Sequence, residues 1–245
     1  MTITVIIPTL NEAGAIGPIL SETARLGFDR IIVVDGGSTD GTCAIVDSIM
    51  AQAPKPARGR ADYPALSDGC PITLLSSSKG RARQLNEGAA AADTDILLFL
   101  HADTRLPDGA RQIVAATMAG NYVGGRFDVR FDDDSFLAQT VARFMNLRSR
   151  LTGIATGDQA IFVRRLTFEA IGRYADIPLM EDIEFSRRLK QAGEVAALRA
   201  QVVTAYRRWR VQGPLRTILL MWTLRFLYWL GVSASRLDKM YRAVR

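Results

Sequence analysis

Histidine and cysteine are scarce: the 245 residues hold one histidine, His101, and two cysteines, Cys43 and Cys70. The cysteines stand in unrelated contexts, with no Cys-x-x-Cys pair and no histidine-rich tract, which argues against a zinc site or a disulfide framework. Free thiols in a reducing cytoplasm are the expectation. The N-terminus, Met1-Thr2-Ile3-Thr4-Val5-Ile6-Ile7, lacks the basic stretch and cleavage site of a signal peptide and reads as a first strand. Internal repeats and interdomain linkers are also lacking. What remains is an ordinary globular composition, 48% hydrophobic and 23% charged, which excludes a mainly disordered or collagen-like chain. A chain of this length buries a large core without staples. Lys and Arg total 31 against 25 Asp and Glu, a net charge of +6. That excess suits a phosphate-bearing ligand, nucleic acid or an anionic membrane, without choosing among them.

Apolar, β-branched runs mark strands at Thr2 to Ile7, Arg30 to Val34, Ile72 to Leu75 and Asp95 to Leu100. Between them, helical spacing runs from Ala13 to Arg25, from Thr39 or Asp40 through Ile49, and from Lys79 to Ala92. The order β-α-β-α-β-α-β with continuous apolar strands implies a mostly parallel sheet covered on both faces, an α/β fold. Its functional loops should lie beyond the carboxyl ends of the strands, at Pro8 to Glu12, Asp35 to Gly41, Ser76 to Arg83 and His101 to Arg105. Pro54 to Pro71 reads as a long irregular loop. Later, Tyr122 to Phe131 looks like a strand near the sheet edge, Phe136 to Leu151 a helix, Ile161 to Val163 a short strand and Asp182 to Ala192 a helix. Val195 to Ala205 supplies one or two strands, Leu215 to Ser233 an apolar helix and Arg236 to Arg245 a basic tail. The simplest account is one domain over 1–210 with a helical extension over 211–245.

Several acidic positions suit chemistry. Asp35 ends the second strand before Gly36 and Gly37; a carboxylate there can bind a nucleobase or ribose hydroxyl, or merely cap the turn. Asp103, beyond the buried strand, is placed to hold Mg²⁺ or Mn²⁺ against a diphosphate, or to cap the segment after Pro107. His101 can join it, because imidazole suits Mn²⁺ better than Mg²⁺. Glu181-Asp182 can supply a general base, or simply the acidic first turn that a helix dipole favours. Asp158 is a candidate of the same type. Lys79, Arg81 and Arg83, and Arg207-Arg208-Trp209-Arg210, offer guanidinium forks for a diphosphate or a solvated cationic face.

Taken in order, Ile7-Pro8-Thr9-Leu10-Asn11-Glu12, Asp35-Gly36-Gly37-Ser38-Thr39-Asp40-Gly41-Thr42, Lys79 to Gly88, His101-Ala102-Asp103 and Glu181-Asp182 strongly resemble the blocks of family-2 inverting glycosyltransferases. The resemblance spans roughly 1–210. It implies a GT-A fold and transfer of a sugar from a nucleoside-diphosphate donor with inversion. It places Pro8, Thr9, Asn11 and Glu12 in the nucleoside pocket, Asp35 on the base or ribose, and Gly80, Arg83 and Ala102 beside the donor. Asp103 becomes the metal anchor, Asp182 the general base, and Glu181 a shaper of its surroundings. His101 departs from the family, which usually has an acidic residue there. The blocks also resemble a small bacterial subgroup with Gly157-Asp158-Gln159 and Arg207-Arg208-Trp209 before an apolar C-terminal helix, where these residues serve the acceptor or product-diphosphate side. Two further readings stand beside this one. A non-catalytic nucleotide-sugar binder or scaffold is disfavoured by the retained Asp103 and Asp182. A nucleotidyltransferase is disfavoured by Pro8-Thr9-Leu10-Asn11-Glu12, where a glycine-rich basic loop would be expected. Nucleic acid is not an expected partner.

Leu215 to Ser233 approaches the ~20 residues of a membrane span. Arg216 and Arg225, at ~100° per residue, project on opposite sides, and Arg225 near mid-helix opposes insertion by roughly 2.5–3.5 kcal/mol. Trp222, Tyr228, Trp229 and the basic tail suit a helix that lies on a membrane or packs on the domain or a second copy. A lipid-linked acceptor at the inner face of the cell membrane would fit the first.

Overall fold

The computed structural model describes residues 1–52, 70–207, 210 and 213–244. The loop expected from Pro54, and Arg208 and Trp209, lie outside the described residues except for Cys70 and Pro71. The first half alternates as read: β1 (Ile3–Thr9), α1 (Ile16–Arg25), β2 (Arg30–Asp35), α2 (Thr42–Gln52), β3 (Ile72–Ser76), α3 (Arg81–Ala90) and β4 (Ile96–Phe99). Then come β5 (Thr104–Arg105), α4 (Ala110–Met118), β6 (Gly124–Phe131), α5 (Phe136–Thr152), a 3-10 turn (Gly157–Gln159), β7 (Phe162–Arg164) and α6 (Arg165–Ala170). The chain closes with α7 (Glu181–Ala192), β8 (Val195–Thr204), α8 (Pro214–Trp229) and α9 (Ala234–Val244).

The eight strands form one sheet in the order β3-β2-β1-β4-β7-β6-β8-β5. Four of the seven neighbouring pairs are parallel and three antiparallel. Side chains alternate across it. Ile3, Val5 and Ile7 enter the core with α1, α2 and α4, whereas Ile6, Ile32, Val34 and Phe99 face α3, α6 and α7. α3 lies very close to the sheet: a Cβ on Gly88 would sit 2.5 Å from Ile6 Cγ2. The strand at 122–131 is not near the edge. β6 is flanked by β7 and β8, and its polar Arg126 and Asp128 are covered because they pair with each other (2.5 Å).

The helix expected over 215–233 forms but ends four residues early. α8 stops at Trp229, where Gly231 (φ 89°) takes the left-handed conformation. Gly231 N donates to Tyr228 O and Val232 N to Leu227 O, both at 3.0 Å, which is the Schellman pattern of helix termination. The basic tail then refolds as α9. No helix among the described residues is long and apolar enough to cross a membrane. Instead Leu224 and Leu237 pack with Leu179, Met180 and Ile183 at the start of α7. The remaining flank of α8 exposes Leu219, Trp222, Phe226, Trp229 and Leu230, and α5 exposes Phe136, Phe144, Leu147 and Leu151.

Candidate active site

The loops after β1 and β2 are laced together. Asn11 adopts φ 58°, which asparagine tolerates better than most residues. Its backbone N donates to Ser38 Oγ and its Oδ1 accepts from Thr39 N, both at 2.8 Å. Glu12 N donates to Thr42 Oγ1 at 2.9 Å, while Pro8 and Thr9 form the end of β1. Asp35 is 5% exposed and accepts from Gly37 N (2.8 Å), Ser38 N (2.9 Å), Ser38 Oγ (2.5 Å) and Thr9 Oγ1 (3.3 Å). Burial pushes its carboxyl up, but hydrogen bonds from Ser38 and Gly37 outweigh burial and hold it below its ordinary value. The carboxylate therefore braces the loop rather than presenting an empty oxygen. Gln84, not singled out in the sequence, is buried under both strands and donates through Nε2 to Thr9 O (2.7 Å) and Val34 O (2.8 Å). Its signal was a polar side chain on the inward face of α3, beside Leu85.

The β4 terminus brings a second group together. His101 Nδ1 lies 3.0 Å from Asp158 Oδ1. Ala102 is buried, and Asp103 is partly exposed. Among the described residues, the Asp103 carboxylate meets only Thr104 Oγ1, at 3.5 Å. Ala205 N donates to Asp103 O at 3.2 Å, and β5 pairs with the end of β8, so the exposed Arg207 follows close behind. Among the described residues no three His, Cys, Asp or Glu side chains converge to hold a metal.

The acidic pair opens α7 behind Met180, held at φ 71°. Ala160 (φ 45°), after the 3-10 turn, and Arg173 (φ 59°), before Tyr174, also take positive φ near it, where local strain commonly collects. Beneath it, Phe99, Phe168, Tyr174 and Phe185 form an aromatic bed, with Tyr174 stacked on Phe185 at 4.3 Å. Glu181 is buried and accepts from Arg81 Nη1 at 3.0 Å. Burial raises its carboxyl above the ordinary value, against the pull of Arg81. Asp182 Oδ2 accepts from Gly157 N (3.0 Å) and its Oδ1 from Ile183 N (2.8 Å). Arg81, His101, Gly157, Tyr174, Glu181 and Asp182 line one recess.

Three of the expected residues are placed as follows. Arg83 turns outward to Asp176 (2.8 and 2.9 Å), while Arg81 stands beside the acidic pair. Gln159 is fully buried; it accepts from Thr156 N (3.2 Å) and donates to Phe127 O (3.3 Å). Asp158 orients His101. Gly157 has a reason to be glycine: a Cβ there would lie 2.3 Å from His101 Nε2. Gly157→Ala is expected to displace the imidazole and the N–H that holds Asp182, cutting turnover by ~10²-fold with little change in thermal midpoint. Steady-state rates and a melting curve on the same sample check this.

Among proteins of known structure, the S. aureus TarS 1–349 fragment in complex with UDP superposes with a TM-score of 0.64 at 17% identity, covering 84% of this chain and 60% of that one. The same fragment with UDP-GlcNAc gives 0.62 at 18% identity. A mannosyltransferase from Pyrobaculum calidifontis, in complex with GDP-Man and Mn²⁺, gives 0.63 at 22% identity over 85% of this chain and 59% of that one. These likenesses establish the GT-A fold. The glycosyltransferase AglJ of Haloferax volcanii is 45% identical over 47 residues, which is 19% of this chain and 16% of AglJ. The chain thus spans well under two thirds of each of these relatives. The model of glycosyl transferase family 2 matches residues 4–175, and with it the strand-end loops, the His101-Ala102-Asp103 turn and the sheet find a common account: this chain belongs to glycosyl transferase family 2.

Proposed function

We propose that this chain transfers a sugar from a nucleoside-diphosphate donor to an acceptor hydroxyl, with inversion at the anomeric carbon. Asp182 is the general base. The observation that carries this reading is the setting of Asp182, whose two oxygens each accept one backbone N–H while the carboxylate lines the recess beside His101 and Arg81. The two bonds fix the carboxylate plane, so its remaining lone pairs keep one orientation. An acceptor hydroxyl is a poor nucleophile until its proton is drawn away, which Asp182 does as the hydroxyl attacks and the nucleoside diphosphate departs from the opposite face. Family membership and solved neighbours bound to UDP, UDP-GlcNAc and GDP-Man support the donor class.

Pro8, Thr9, Asn11, Glu12, Gly80 and Ala102 border the donor in this reading, and Asp35 acts by holding their loop. Asp103 fits a divalent cation, Mn²⁺ or Mg²⁺: its carboxylate is open, and such ions commonly rest on one carboxylate plus substrate phosphates and water. His101, oriented by Asp158, adds a nitrogen that favours Mn²⁺. The bound cation supplies charge stabilisation to the leaving diphosphate, and Arg207 adds positive charge at the same end. The apolar faces of α5 and α8 support seating at a membrane surface. Flotation with anionic vesicles is expected to carry the chain, and Trp222→Ser with Phe226→Ser to release it; a chain that stays in the buffer fraction rejects that seating.

The direct test is a thermal-shift panel of UDP, GDP, CDP, ADP and dTDP with Mn²⁺, Mg²⁺ or chelator. One diphosphate at ~100 times its dissociation constant should add ~2.7 kcal/mol. Asp103→Ala should remove the metal-dependent share of that gain. Failure of every nucleotide to stabilise the chain would reject the donor reading.

A further inference from the structure

Two arginines near Asp182 have no role in the reaction described above. Arg148 stands on α5 and Arg225 on α8. Among the described residues neither guanidinium forms a hydrogen bond or a close ion pair, and Arg148 Nε and Nη2 are sealed from solvent without an acceptor. Other arginines also leave a sealed nitrogen without an acceptor (Arg30 Nε, Arg111 Nε, Arg126 Nη2), but each of those guanidinium groups keeps a carboxylate partner: Asp93 (3.8 Å), Asp29 (3.2 Å) and Asp128 (2.5 Å) respectively. Arg148 instead feels the charge of Arg225. Burial and that charge bring the Arg148 guanidinium down to about 10. Burial lowers Arg225 as well, against the pull of Asp182 and Asp158.

Two half-buried cations without a counter-ion are costly, and a sealed guanidinium nitrogen without an acceptor calls for one. Asp182 attracts both but stands beyond ion-pair range, and each of its oxygens already accepts a backbone N–H. The place is the seam between α5 and α8. Ile218, seven residues before Arg225 on α8, packs into the cluster built on Ala138, Val141 and Ala142 of α5. At ~100° per residue, Arg225 shares the flank of Ile218 and Arg148 that of Leu137, so both aim into the seam. The nucleotide-side loops, in contrast, stand at the ends of β1 and β2.

We propose that Arg148 and Arg225 form a seat for a phosphate carried by the acceptor, entering from the α5–α8 side so that its hydroxyl meets Asp182. This rests on the reading of Asp182 as the base. Two guanidinium forks match the charge of a phosphate monoester, about −1.5 to −2 at neutral pH. That phosphate belongs either to a soluble metabolite or to a lipid headgroup, whose chain the neighbouring exposed Trp222, Phe226, Phe144 and Leu147 would receive.

The experiment uses the full chain with chelator present and inorganic phosphate or dodecyl phosphate as probe. Phosphate is expected to raise the melting temperature. Arg148→Gln and Arg225→Gln should each weaken its apparent affinity by at least ~10-fold, with nucleoside-diphosphate binding unchanged. Without phosphate, each variant should melt no lower than the native chain, because it removes an unmatched buried charge; this separates loss of the seat from loss of the fold. A dodecyl chain that tightens binding at least ~10-fold through the arginine-dependent site assigns the phosphate to a lipid; equal binding assigns it to a soluble molecule. Phosphate that protects the native chain and the double variant alike, or protects neither, overturns the seat. Loss of nucleoside-diphosphate binding in the variants moves the arginines to the donor and overturns the acceptor assignment. If no nucleoside diphosphate binds the native chain, the donor reading falls while the phosphate arms still judge the seat.

Discussion

Replacing Asp182 with asparagine is expected to lower turnover by ~10²–10⁴-fold while nucleoside-diphosphate binding stays unchanged. The amide keeps the size of the carboxylate but offers one acceptor oxygen instead of two. Gly157 N and Ile183 N now donate to separate oxygens, so one of them loses its partner, and the variant should lose about 1 kcal/mol of stability. That small loss cannot explain a drop of several orders in rate. Single-turnover kinetics on a variant whose thermal shift with donor diphosphate is intact make the measurement. Unchanged turnover would remove Asp182 as the base. A native chain that binds donor, yet moves no sugar to any acceptor tried, would favour a non-catalytic binder.

Arg81→Met is expected to produce the largest structural effect, because it strands the buried Glu181. Breaking a buried pair typically costs 3–5 kcal/mol. The Arg81 side chain is 44% exposed, so solvent screening reduces this to about 2 kcal/mol, a fall of roughly 4–8 °C in melting temperature for a domain this size. Burial already raises the Glu181 carboxyl, and without Arg81 it rises further. The folded state then favours protonated Glu181. The deficit is therefore full above the variant's folded value, shrinks as pH falls through it, and vanishes below the native chain's own, less raised, folded value. Melting curves between pH 4 and pH 8 read this directly. Adding Glu181→Gln should restore most of the loss, since no buried charge remains. A deficit independent of pH, or a double variant as unstable as the single, would show that the ion pair is not what holds α7 against α3.

The strands were legible because their signal is local. Thr2 to Ile7, Arg30 to Val34 and Asp95 to Leu100 are continuously apolar, and a strand covered on both faces needs that and little else. Once they are placed in order, the loops at their carboxyl ends follow, with Asn11 just after β1 and Asp103 just after β4. β5 escaped notice because two residues carry no periodicity. β6 was placed near the edge because its apolar alternation is only partial. Inside the sheet Asp128 pairs with both Arg126 and Arg150, so polar residues on this strand mark ion pairs instead of an edge.

Side-chain roles within the blocks were less legible for the same reason. Spacing on α3 put Arg81 and Arg83 near one cleft but could not choose between them. The choice depends on Glu181 and Asp176, which the chain brings to α3 from 100 and 93 positions away. Gln159 was given to the acceptor side by resemblance alone; its burial, with its amide donating to Phe127 O, carried no signal in the sequence. The break at Gly231 was readable as a helix stop, yet the docking of Leu224 and Leu237 beside Met180 was not. Residue order along the chain sets which segments become strands and helices and which of their ends carry carboxylates, since those follow from neighbours a few positions apart. Which arginine meets which acid, and that the C-terminal helices pack at the start of α7, follow from packing between distant segments, where charge pairing and burial are settled together.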